Sequence, residues 1–304
     1  MADIILDLCG ALEYKNIEYK KQVLLSEHST FRIGGYASVV AFPKNESELI
    51  EVVKIANDKK IKYTVIGNGS NILFSDRGYD GIIISTLNLK NIAIDGCTMN
   101  IECGASITGA AIEARKASLS GLEFAYGIPG TLGGAVFMNA GAYGSEISNV
   151  LFSVKVFDIC ELCSYEICAD ELELDYRSSI FMKNNHLIIL SATLNLTCGE
   201  SNEIEALMKD NMRKRQDKQP LNYPNAGSVF KRTQGYFMGK IIEESGLKGY
   251  TVGGAQVSEK HAGFIINKGG ATAEDVLSLI KHIKSVLCER YAIDAECEIR
   301  YIEY

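Results

Sequence analysis

Two glycine-rich stretches, YTVIGNGSN at residues 63–71 and GIPGTLGGAVFMNAGAYG at residues 127–144, decide how this sequence is interpreted. In the first stretch a strand-like run leads into a tight loop that contains Gly67 and Gly69. Glycine lets a backbone approach a diphosphate closely, because it accepts unusual dihedral angles and has no side chain to block the amide N–H groups. On its own, however, the first loop is more simply explained as an ordinary turn.

The first loop also differs from the dinucleotide-binding fingerprint of a Rossmann fold. Its third glycine is missing, and the chain continues toward another strand rather than into a helix, so a Rossmann fold is disfavoured. The second stretch holds six glycines, more than a connecting turn requires. Together the two stretches predict one extended cofactor, with a flat ring lying against Gly133, Gly134 and Ala135; a tightly packed buried turn is the alternative for the second stretch.

Length and composition limit the class of protein. A chain of 304 residues exceeds what one hydrophobic core usually organises, so two or three lobes are expected. With 47% hydrophobic and 23% charged residues and without an apolar stretch of membrane-spanning length, the sequence predicts a soluble protein that does not enter a membrane. The net charge of -7 argues against a nucleic-acid partner. The first residues lack the basic segment of a secretory signal, which predicts a cytoplasmic location.

Nine cysteines are scattered along the chain, an odd number that does not suggest a disulfide framework. Free thiols in a reducing compartment explain them more simply. Cys160 and Cys163, with Cys168 nearby, are not joined by a second pair at metal-binding spacing, and tetrahedral zinc needs four ligands. We therefore predict no metal site.

Local signals place several elements. An amphipathic helix opens the chain, Asn45-x-x-Glu48 and Thr272-x-x-Asp275 cap two further helices, and residues 297–302 read as a final strand. The polar segment 198–202 marks a boundary between lobes. A helix follows this boundary to about Lys214.

Three polar residues stand out in segments that otherwise read as packed structure: Arg177, Ser228 and Glu298. Each has an ordinary explanation, respectively a surface ion pair, a turn former and a solvated strand face. Their spacing in the sequence cannot join them into one site.

Over nearly its whole length, from about Thr30 to Arg300, the sequence resembles the UDP-N-acetylenolpyruvoylglucosamine reductases. The motifs that carry the resemblance are Thr30–Gly35, Gly67–Asn71, the 127–144 segment, Tyr176-Arg177-x-Ser179, Asn225–Arg232, Ser258–Phe264 and Glu298–Arg300. The type of reductase that lacks a tyrosine-bearing lid loop is the more similar one, because residues 176–201 leave little room for such a loop.

The resemblance implies an α+β fold in which an FAD-binding domain like that of vanillyl-alcohol oxidase (PCMH-like) is joined to a smaller α+β substrate-binding lobe. The FAD-binding domain is expected at residues 1–199, with sub-lobes at about 1–86 and 87–199. The substrate-binding domain is expected at residues 200–304, with its C-terminal strand returning to the flavin.

The resemblance also implies a reaction: NADPH is the hydride donor, non-covalent FAD the carrier, and a sugar nucleotide, UDP-N-acetylglucosamine enolpyruvate, the acceptor that becomes UDP-N-acetylmuramate. By resemblance Arg177 and Glu298 activate the enolpyruvyl group, and Ser228 gives a proton after flavin N5 delivers hydride. A cationic guanidinium suits the enolate charge that then accumulates. Glu298 is expected to be protonated or bridged to a cation, because a bare carboxylate would repel an enolate.

Motif positions supply the remaining site residues. The expected FAD contacts are Gly67, Asn68, Gly69, Ser70, Asn71, Ile72, Gly127, Ile128, Pro129, Gly130, Thr131, Gly133, Gly134, Ala135, Asn139, Gly141 and Ala142. The expected substrate contacts are Tyr176, Arg213, Lys218, Lys231, Arg232 and His261. Basic residues at a helix C-terminus equally explain the cluster at 213–215. Lys231 and Lys240 are both candidates for returning a proton to Ser228.

Two other functions remain open. A sugar or hydroxy-acid oxidase would keep the FAD domain, although such enzymes often tether flavin through a histidine that neither glycine stretch contains. A flavin-binding sensor or scaffold would bind FAD without turnover. The expected assembly is a monomer.

Overall fold

A computed structural model describes residues 2–233 and 235–304, so Met1, the first residue of the predicted FAD-binding domain, lies outside the described residues. The described residues combine helices and strands throughout, and the predicted α+β class is confirmed. The α-helices are α1 (Ala2–Tyr14), α2 (Glu46–Asp58), α3 (Ile107–Lys116), α4 (Leu132–Phe137), α5 (Ser201–Lys218), α6 (Met238–Glu244) and α7 (Ala273–Tyr291).

The strands are short, and most have two to six residues. They are β1 (Tyr19–Leu24), β2 (Tyr36–Ala41), β3 (Tyr63–Ile66), β4 (Ile72–Phe74), β5 (Tyr79–Ser85), β6 (Ile92–Asp95), β7 (Thr98–Glu102), β8 (Leu119–Ser120), β9 (Gly141–Ala142), β10 (Ser145–Glu146), β11 (Leu151–Asp158), β12 (Cys163–Cys168), β13 (Leu187–Asn195), β14 (Thr197–Cys198), β15 (Thr251–Val252), β16 (Ala255–Val257), β17 (Ile265–Asn267) and β18 (Arg300–Ile302).

The chain divides into two compact units, each assembled from separated segments. Unit 1 comprises Met1–Lys21, Val39–Asn68 and Gly81–Lys214, and unit 2 comprises Gln22–Ser38, Gly69–Asp80 and Arg215–Tyr304. One sheet has the strand order β1-β2-β5-β3, with β3 and β5 parallel.

Unit 1 contains a five-stranded sheet with the order β12-β11-β13-β7-β6, whose neighbouring strands are antiparallel. Two buried clusters stabilise this unit. The first includes Leu49 and Val52 of α2 with Ile82 and Ile84 of β5, and the second packs α3 and α4 against the five-stranded sheet.

Unit 2 has its own apolar core, in which the buried face of α7 packs with α6 and the sheet β15-β16-β17. Val276, Leu279 and Ile283 of α7 are at most 1% exposed. A separate parallel pair joins β18 to β4, with Arg300 opposite Ile72. Phe31, Ile33 and Leu73 contribute to the same core from the N-terminal third of the sequence.

The two predicted helix caps are confirmed. The Asn45 side chain accepts the Glu48 N–H at the start of α2, and Thr272 and Asp275 form a reciprocal capping box at the start of α7. The residues of each cap are close together in the sequence. Each cap accepts hydrogen bonds from backbone N–H groups that the first helical turn leaves without partners.

Two predicted elements differ from the structure, and a third element has no counterpart among the predictions. The helix predicted to end near Lys214 continues to Lys218. The final strand begins at Arg300 rather than at residue 297, because the backbone at 297–298 pairs with Val229 and Phe230 before the chain changes partner to β4. The second glycine stretch contains the six-residue helix α4, which its sequence does not predict.

All nine cysteines are free thiols, a state that the sequence predicted for most of them. Cys97 and Cys198 are near neighbours, with their Sγ atoms 3.3 Å apart. Exposed Cys168 lies close to the carboxylates of Asp170 and Glu171, and Glu171 accepts the Cys168 N–H. Among the described residues, no helix has the length and apolar content needed to cross a lipid bilayer.

Candidate active site

In unit 1 the start of the first glycine loop packs against the beginning of the second glycine stretch. The Asn68 side chain donates to the Pro129 carbonyl at 2.8 Å. A Cβ atom placed on Gly67 would lie 2.1 Å from Oγ1 of Thr131, the residue that caps α4. Only glycine therefore allows this contact between the two predicted cofactor loops.

A pocket of about 160 Å³ lies beside this contact. It is lined by Asn68, Leu87, Gly104, Ser106, Thr108, Ile128, Pro129, Gly130 and Thr131. The predicted cofactor positions 68 and 128–131 thus border one cavity, and the other four lining residues were not predicted from the sequence. A signal for them exists, since Gly104, Ala105 and Ser106 are small residues between a strand and a capped helix.

The surroundings of Gly134 bear on whether a flat cofactor can lie against unit 1. It is exposed within α4, and a Cβ atom there would meet nothing closer than Thr131 Oγ1 at 3.6 Å. Glycine inside a helix costs about 1 kcal/mol relative to alanine. The protein's own packing does not require glycine at this position. Close approach of a ligand to this surface would explain why a glycine is present.

Arg177 occupies a tight turn in unit 1. The backbones of Asp175 and Ser178 exchange hydrogen bonds at 3.0 and 3.2 Å across it, and Arg177 has a φ of 52°, in the left-handed region. The half-buried guanidinium donates from Nη2 to the Gly141 carbonyl at 2.8 Å and from Nη1 to the Asn139 carbonyl at 3.4 Å. The second glycine stretch therefore holds the predicted catalytic arginine.

Further contacts tie the same stretch to the Tyr176-Arg177-x-Ser179 motif. The buried Ser179 hydroxyl donates to the Phe137 carbonyl at 2.7 Å, and the Tyr176 ring lies 5.1 Å from the Arg177 guanidinium carbon. Asn139 is 0% exposed, and its side chain bonds to the protein itself. Ala142 belongs to the short strand β9, which pairs with β10.

In unit 2 the predicted catalytic residues Ser228 and Glu298 lie on neighbouring backbone segments. The Glu298 N–H donates to the Val229 carbonyl at 2.7 Å, and Ser228 forms an isolated bridge with Phe264. The Ser228 side chain is exposed, whereas Glu298 is half-buried. The structure thus brings these two residues together within one unit.

Asn71 connects the first glycine loop to this region of unit 2. Its side chain donates to the Glu298 carbonyl at 3.0 Å, and its own carbonyl accepts the Arg300 N–H at 3.0 Å. The next residue, Ile72, begins β4 and lies opposite Arg300. Ser70 is half-buried, and Gly69, with a φ of 61°, lies against the His28 carbonyl. Asn71 thereby fixes the backbone of Glu298.

His261, a predicted substrate contact, is held in a defined orientation. Its Nδ1 accepts the Gly263 N–H at 3.0 Å, and its ring meets Phe264 edge-on at 5.1 Å. Burial lowers the pKa of His261 below its ordinary value of 6.5. The neutral ring therefore carries its proton on Nε2, where it is available to donate.

The predicted basic substrate contacts differ in their environment. Lys231 is largely buried and pairs with Glu296 at 2.6 Å. Arg213 is exposed on α5 and pairs with Asp210 one turn earlier at 2.7 Å. Lys218 ends the same helix, and exposed Arg232 lies 5.9 Å from the centre of the Phe237 ring. Exposed Lys240, the alternative proton source, lies 3.6 Å from Glu244.

Comparison with known proteins adds an independent finding. A family model described as an FAD binding domain matches residues 37–160. A second, described as the C-terminal domain of UDP-N-acetylenolpyruvoylglucosamine reductase, matches residues 219–302.

Whole-length relatives carry the same name. The UDP-N-acetylenolpyruvoylglucosamine reductase of Clostridium perfringens strain SM101 is 46% identical over 279 residues, which is 91% of each chain. That of Caldicellulosiruptor bescii is 46% identical over 293 residues, 96% of this chain and 93% of the relative. The crystal structure of the Thermus caldophilus reductase superposes with a TM-score of 0.78 at 32% identity, covering 94% of this chain and 98% of that one. The chain therefore belongs to the UDP-N-acetylenolpyruvoylglucosamine reductase family.

Proposed function

We propose that this protein is a UDP-N-acetylmuramate dehydrogenase. It uses NADPH and FAD to reduce UDP-N-acetylglucosamine enolpyruvate to UDP-N-acetylmuramate, a step in the synthesis of peptidoglycan precursors. The observation that carries the proposal is the identity of 46% to a named reductase across 91% of both chains.

Unit 1 supplies most of the proposed FAD site. The loop at Gly67 and Asn68 and the segments 127–135 and 141–142 would hold the cofactor without a covalent bond, as supported by the match of residues 37–160 to an FAD binding domain. When bound, FAD would pass a hydride from NADPH to the terminal carbon of the enolpyruvyl double bond. We retain residues 1–199 as the FAD-binding domain and 200–304 as the substrate-binding domain within this proposal.

Arg177 is proposed to stabilise the negative charge that develops on the substrate carboxylate as the double bond is reduced. Its guanidinium is permanently charged, and the carbonyls of Asn139 and Gly141 hold it before any substrate arrives. A cation that is oriented in advance loses little free energy to reorganisation during the reaction, which is why such groups are effective catalysts.

Ser228 is proposed to protonate the carbon next to the carboxylate. Serine is a weak acid, but an enolate carbon is basic enough to accept a proton from a well-placed hydroxyl. Glu298, held on the adjacent segment by the Val229 carbonyl, would assist as a protonated acid or through a bridging cation. We propose Lys231, largely buried and close to Ser228 in sequence, over exposed Lys240 as the group that returns the proton.

The sugar nucleotide carries a diphosphate, and basic side chains are proposed to bind it. Lys231, Arg232 and Lys218 are the candidates in unit 2, and Arg213 is the candidate on α5 in unit 1. Two further residues complete the proposed substrate contacts. They are His261, which has an Nε2–H donor, and Tyr176, which is 38% exposed. We also propose a cytoplasmic monomer, which the nine free thiols support as far as the compartment is concerned.

A turnover assay distinguishes this proposal from its alternatives. Purified protein is mixed with NADPH and UDP-N-acetylglucosamine enolpyruvate, and the NADPH absorbance is followed. Consumption of NADPH that depends on the sugar nucleotide and yields UDP-N-acetylmuramate is expected. Oxygen consumption with a sugar or hydroxy acid would indicate an oxidase, and bound FAD without any turnover would indicate a sensor or scaffold.

A further inference from the structure

Asn139 lies at the end of α4 and uses every hydrogen-bonding group of its side chain within unit 1. Its Nδ2 donates to Glu146 Oε1 at 2.9 Å and to the Asp175 carbonyl at 3.1 Å, and its Oδ1 accepts the Ser148 N–H at 3.0 Å. The residue is 0% exposed. A side chain that is fully buried and fully bonded to protein has no group left for a ligand.

Asn139 contacts the Arg177 turn from two directions. Its side chain binds the carbonyl of Asp175, the residue that opens the turn, and its own carbonyl accepts Nη1 of the Arg177 guanidinium at 3.4 Å. The guanidinium also reaches the Gly141 carbonyl at 2.8 Å, two residues further along the same segment. These contacts form a closed ring that fixes both the backbone and the head of Arg177.

The chemistry of the position selects asparagine. Asn139 has a φ of 40°, and asparagine enters this left-handed region more readily than most residues with a side chain. Its partners require two donors and one acceptor on one short side chain, which an amide provides. Aspartate has a similar shape but only acceptors, so it would face the Asp175 carbonyl and the Glu146 carboxylate without a proton to share.

We propose that Asn139 is a positioning residue that holds the Arg177 guanidinium in its working orientation. We propose this role in place of the FAD contact that the family resemblance implies at position 139. The inference rests on the proposed function, because it concerns the same reaction. A small displacement of a catalytic group lowers the rate of the chemical step, while binding of a cofactor elsewhere is retained.

The test is Asn139→Asp in the FAD-loaded enzyme. Reoxidation of the reduced flavin by UDP-N-acetylglucosamine enolpyruvate, measured without oxygen, is expected to slow by about 10- to 100-fold. FAD content and flavin reduction by NADPH are expected to stay at the wild-type level. A variant with wild-type reoxidation would overturn the proposal.

A double-mutant cycle separates positioning from general stability. If Asn139 acts through Arg177, then Asn139→Asp slows reoxidation in the wild type and has no further effect in an Arg177→Ala background. Equal slowing in both backgrounds would show that Asn139 does not act through the arginine. The cycle therefore reports on a coupling that loss of stability alone would not produce.

Asn211 provides a matched control in the same unit. It is 3% exposed, and its Nδ2 donates to the Glu123 carbonyl at 3.2 Å. Asn211→Asp is expected to lower the melting temperature and leave reoxidation unchanged, and slowing equal to that of Asn139→Asp would contradict the positioning role.

A second variant covers the case in which Asn139→Asp does not fold. Glu146 is half-buried, and Glu146→Ala removes one acceptor from the Asn139 amide while retaining asparagine. A smaller slowing, again absent in the Arg177→Ala background, is expected, and wild-type reoxidation would count against the proposal. Failure of the wild-type enzyme to be reoxidised would refute the proposed function itself.

Discussion

Arg177 in unit 1 and Ser228 in unit 2 are both proposed catalytic residues, but the protein holds them in different ways. Side-chain contacts determine the position of Arg177: carbonyl oxygens at 2.8 and 3.4 Å bind its guanidinium. Ser228 is exposed, and backbone hydrogen bonds of neighbouring residues hold its segment. The Val229 N–H donates to the Gly263 carbonyl, and the Glu298 N–H donates to the Val229 carbonyl.

The difference follows from the length of the two side chains. Arginine has several rotatable bonds, and ordering them costs about 2 kcal/mol of conformational entropy, so a preorganised guanidinium needs partners along its length. A serine hydroxyl turns about one χ angle, and a fixed backbone is sufficient to aim it. We therefore expect distant substitutions to disturb Arg177 through side chains and Ser228 through main-chain geometry.

The largest expected effect is that of Ser228→Ala. Removing the proton donor should slow flavin reoxidation by the sugar nucleotide about 100-fold or more, while NADPH-driven flavin reduction stays near normal. Stopped-flow absorbance of the flavin measures the two half-reactions separately. Equal losses in both would show that Ser228 is not the proton donor.

Arg177→Ala should have an effect of comparable size. Loss of one preorganised charge donor typically costs about 3 to 4 kcal/mol, or about 10² to 10³ in the rate of reduction of the substrate. Arg115 is the control, because it pairs with Glu205 at 2.6 Å in the same unit and has no proposed role. Arg115→Ala is expected to keep wild-type kcat; if the two alanine variants were equally active, Arg177 would have no catalytic part.

Gly67→Ala should lower the stability of the folded protein and not only its catalytic activity. The added Cβ would lie 2.1 Å from Oγ1 of Thr131, which is buried, so unit 1 must shift at a cost of about 1 to 3 kcal/mol. Thermal unfolding with and without FAD measures the change. Gly10→Ala in α1, where nothing lies within 4 Å, is the matched control and should be neutral or slightly stabilising. Equal melting temperatures for the two variants would contradict this packing argument.

The smallest expected effect concerns pH. The pKa of His261 is lowered in the folded protein, so the unfolded chain binds more protons than the folded chain as the pH falls through 6.5. Proton binding then favours the unfolded state, and the free energy of unfolding decreases toward lower pH. His261→Gln should flatten that part of the pH dependence of the unfolding free energy. An NMR titration that gives His261 a pKa at or above its ordinary value would disprove the assignment of a neutral ring.

Local signals were sufficient for part of the fold. The cap at Asn45 and the capping box of Thr272 and Asp275 act within four residues, and the sequence therefore predicts them correctly. The glycine-rich loops are also visible in the sequence, because their composition departs so far from that of an ordinary turn. The motifs also sufficed to indicate the family that the comparisons later showed.

Non-local contacts account for what the sequence did not reveal. Helix α4 includes Gly133 and Gly134, which disfavour a helix, and it is supported by the Ala105 and Cys103 carbonyls, which accept the Leu132 and Gly133 N–H groups. The side-chain partners of Asn139 come from residues 146, 148 and 175, a combination that no local pattern indicates. The roles of Arg177 and Ser228 remain predictions that the substitutions above test, and the role of Glu298 also remains a prediction.

The most direct test of the account is a single anaerobic mixing experiment. FAD-loaded protein is reduced with NADPH, oxygen is excluded, and UDP-N-acetylglucosamine enolpyruvate is added while the flavin absorbance is recorded. The flavin is expected to be reoxidised, with stoichiometric formation of UDP-N-acetylmuramate. A flavin that stays reduced until oxygen is admitted would contradict it.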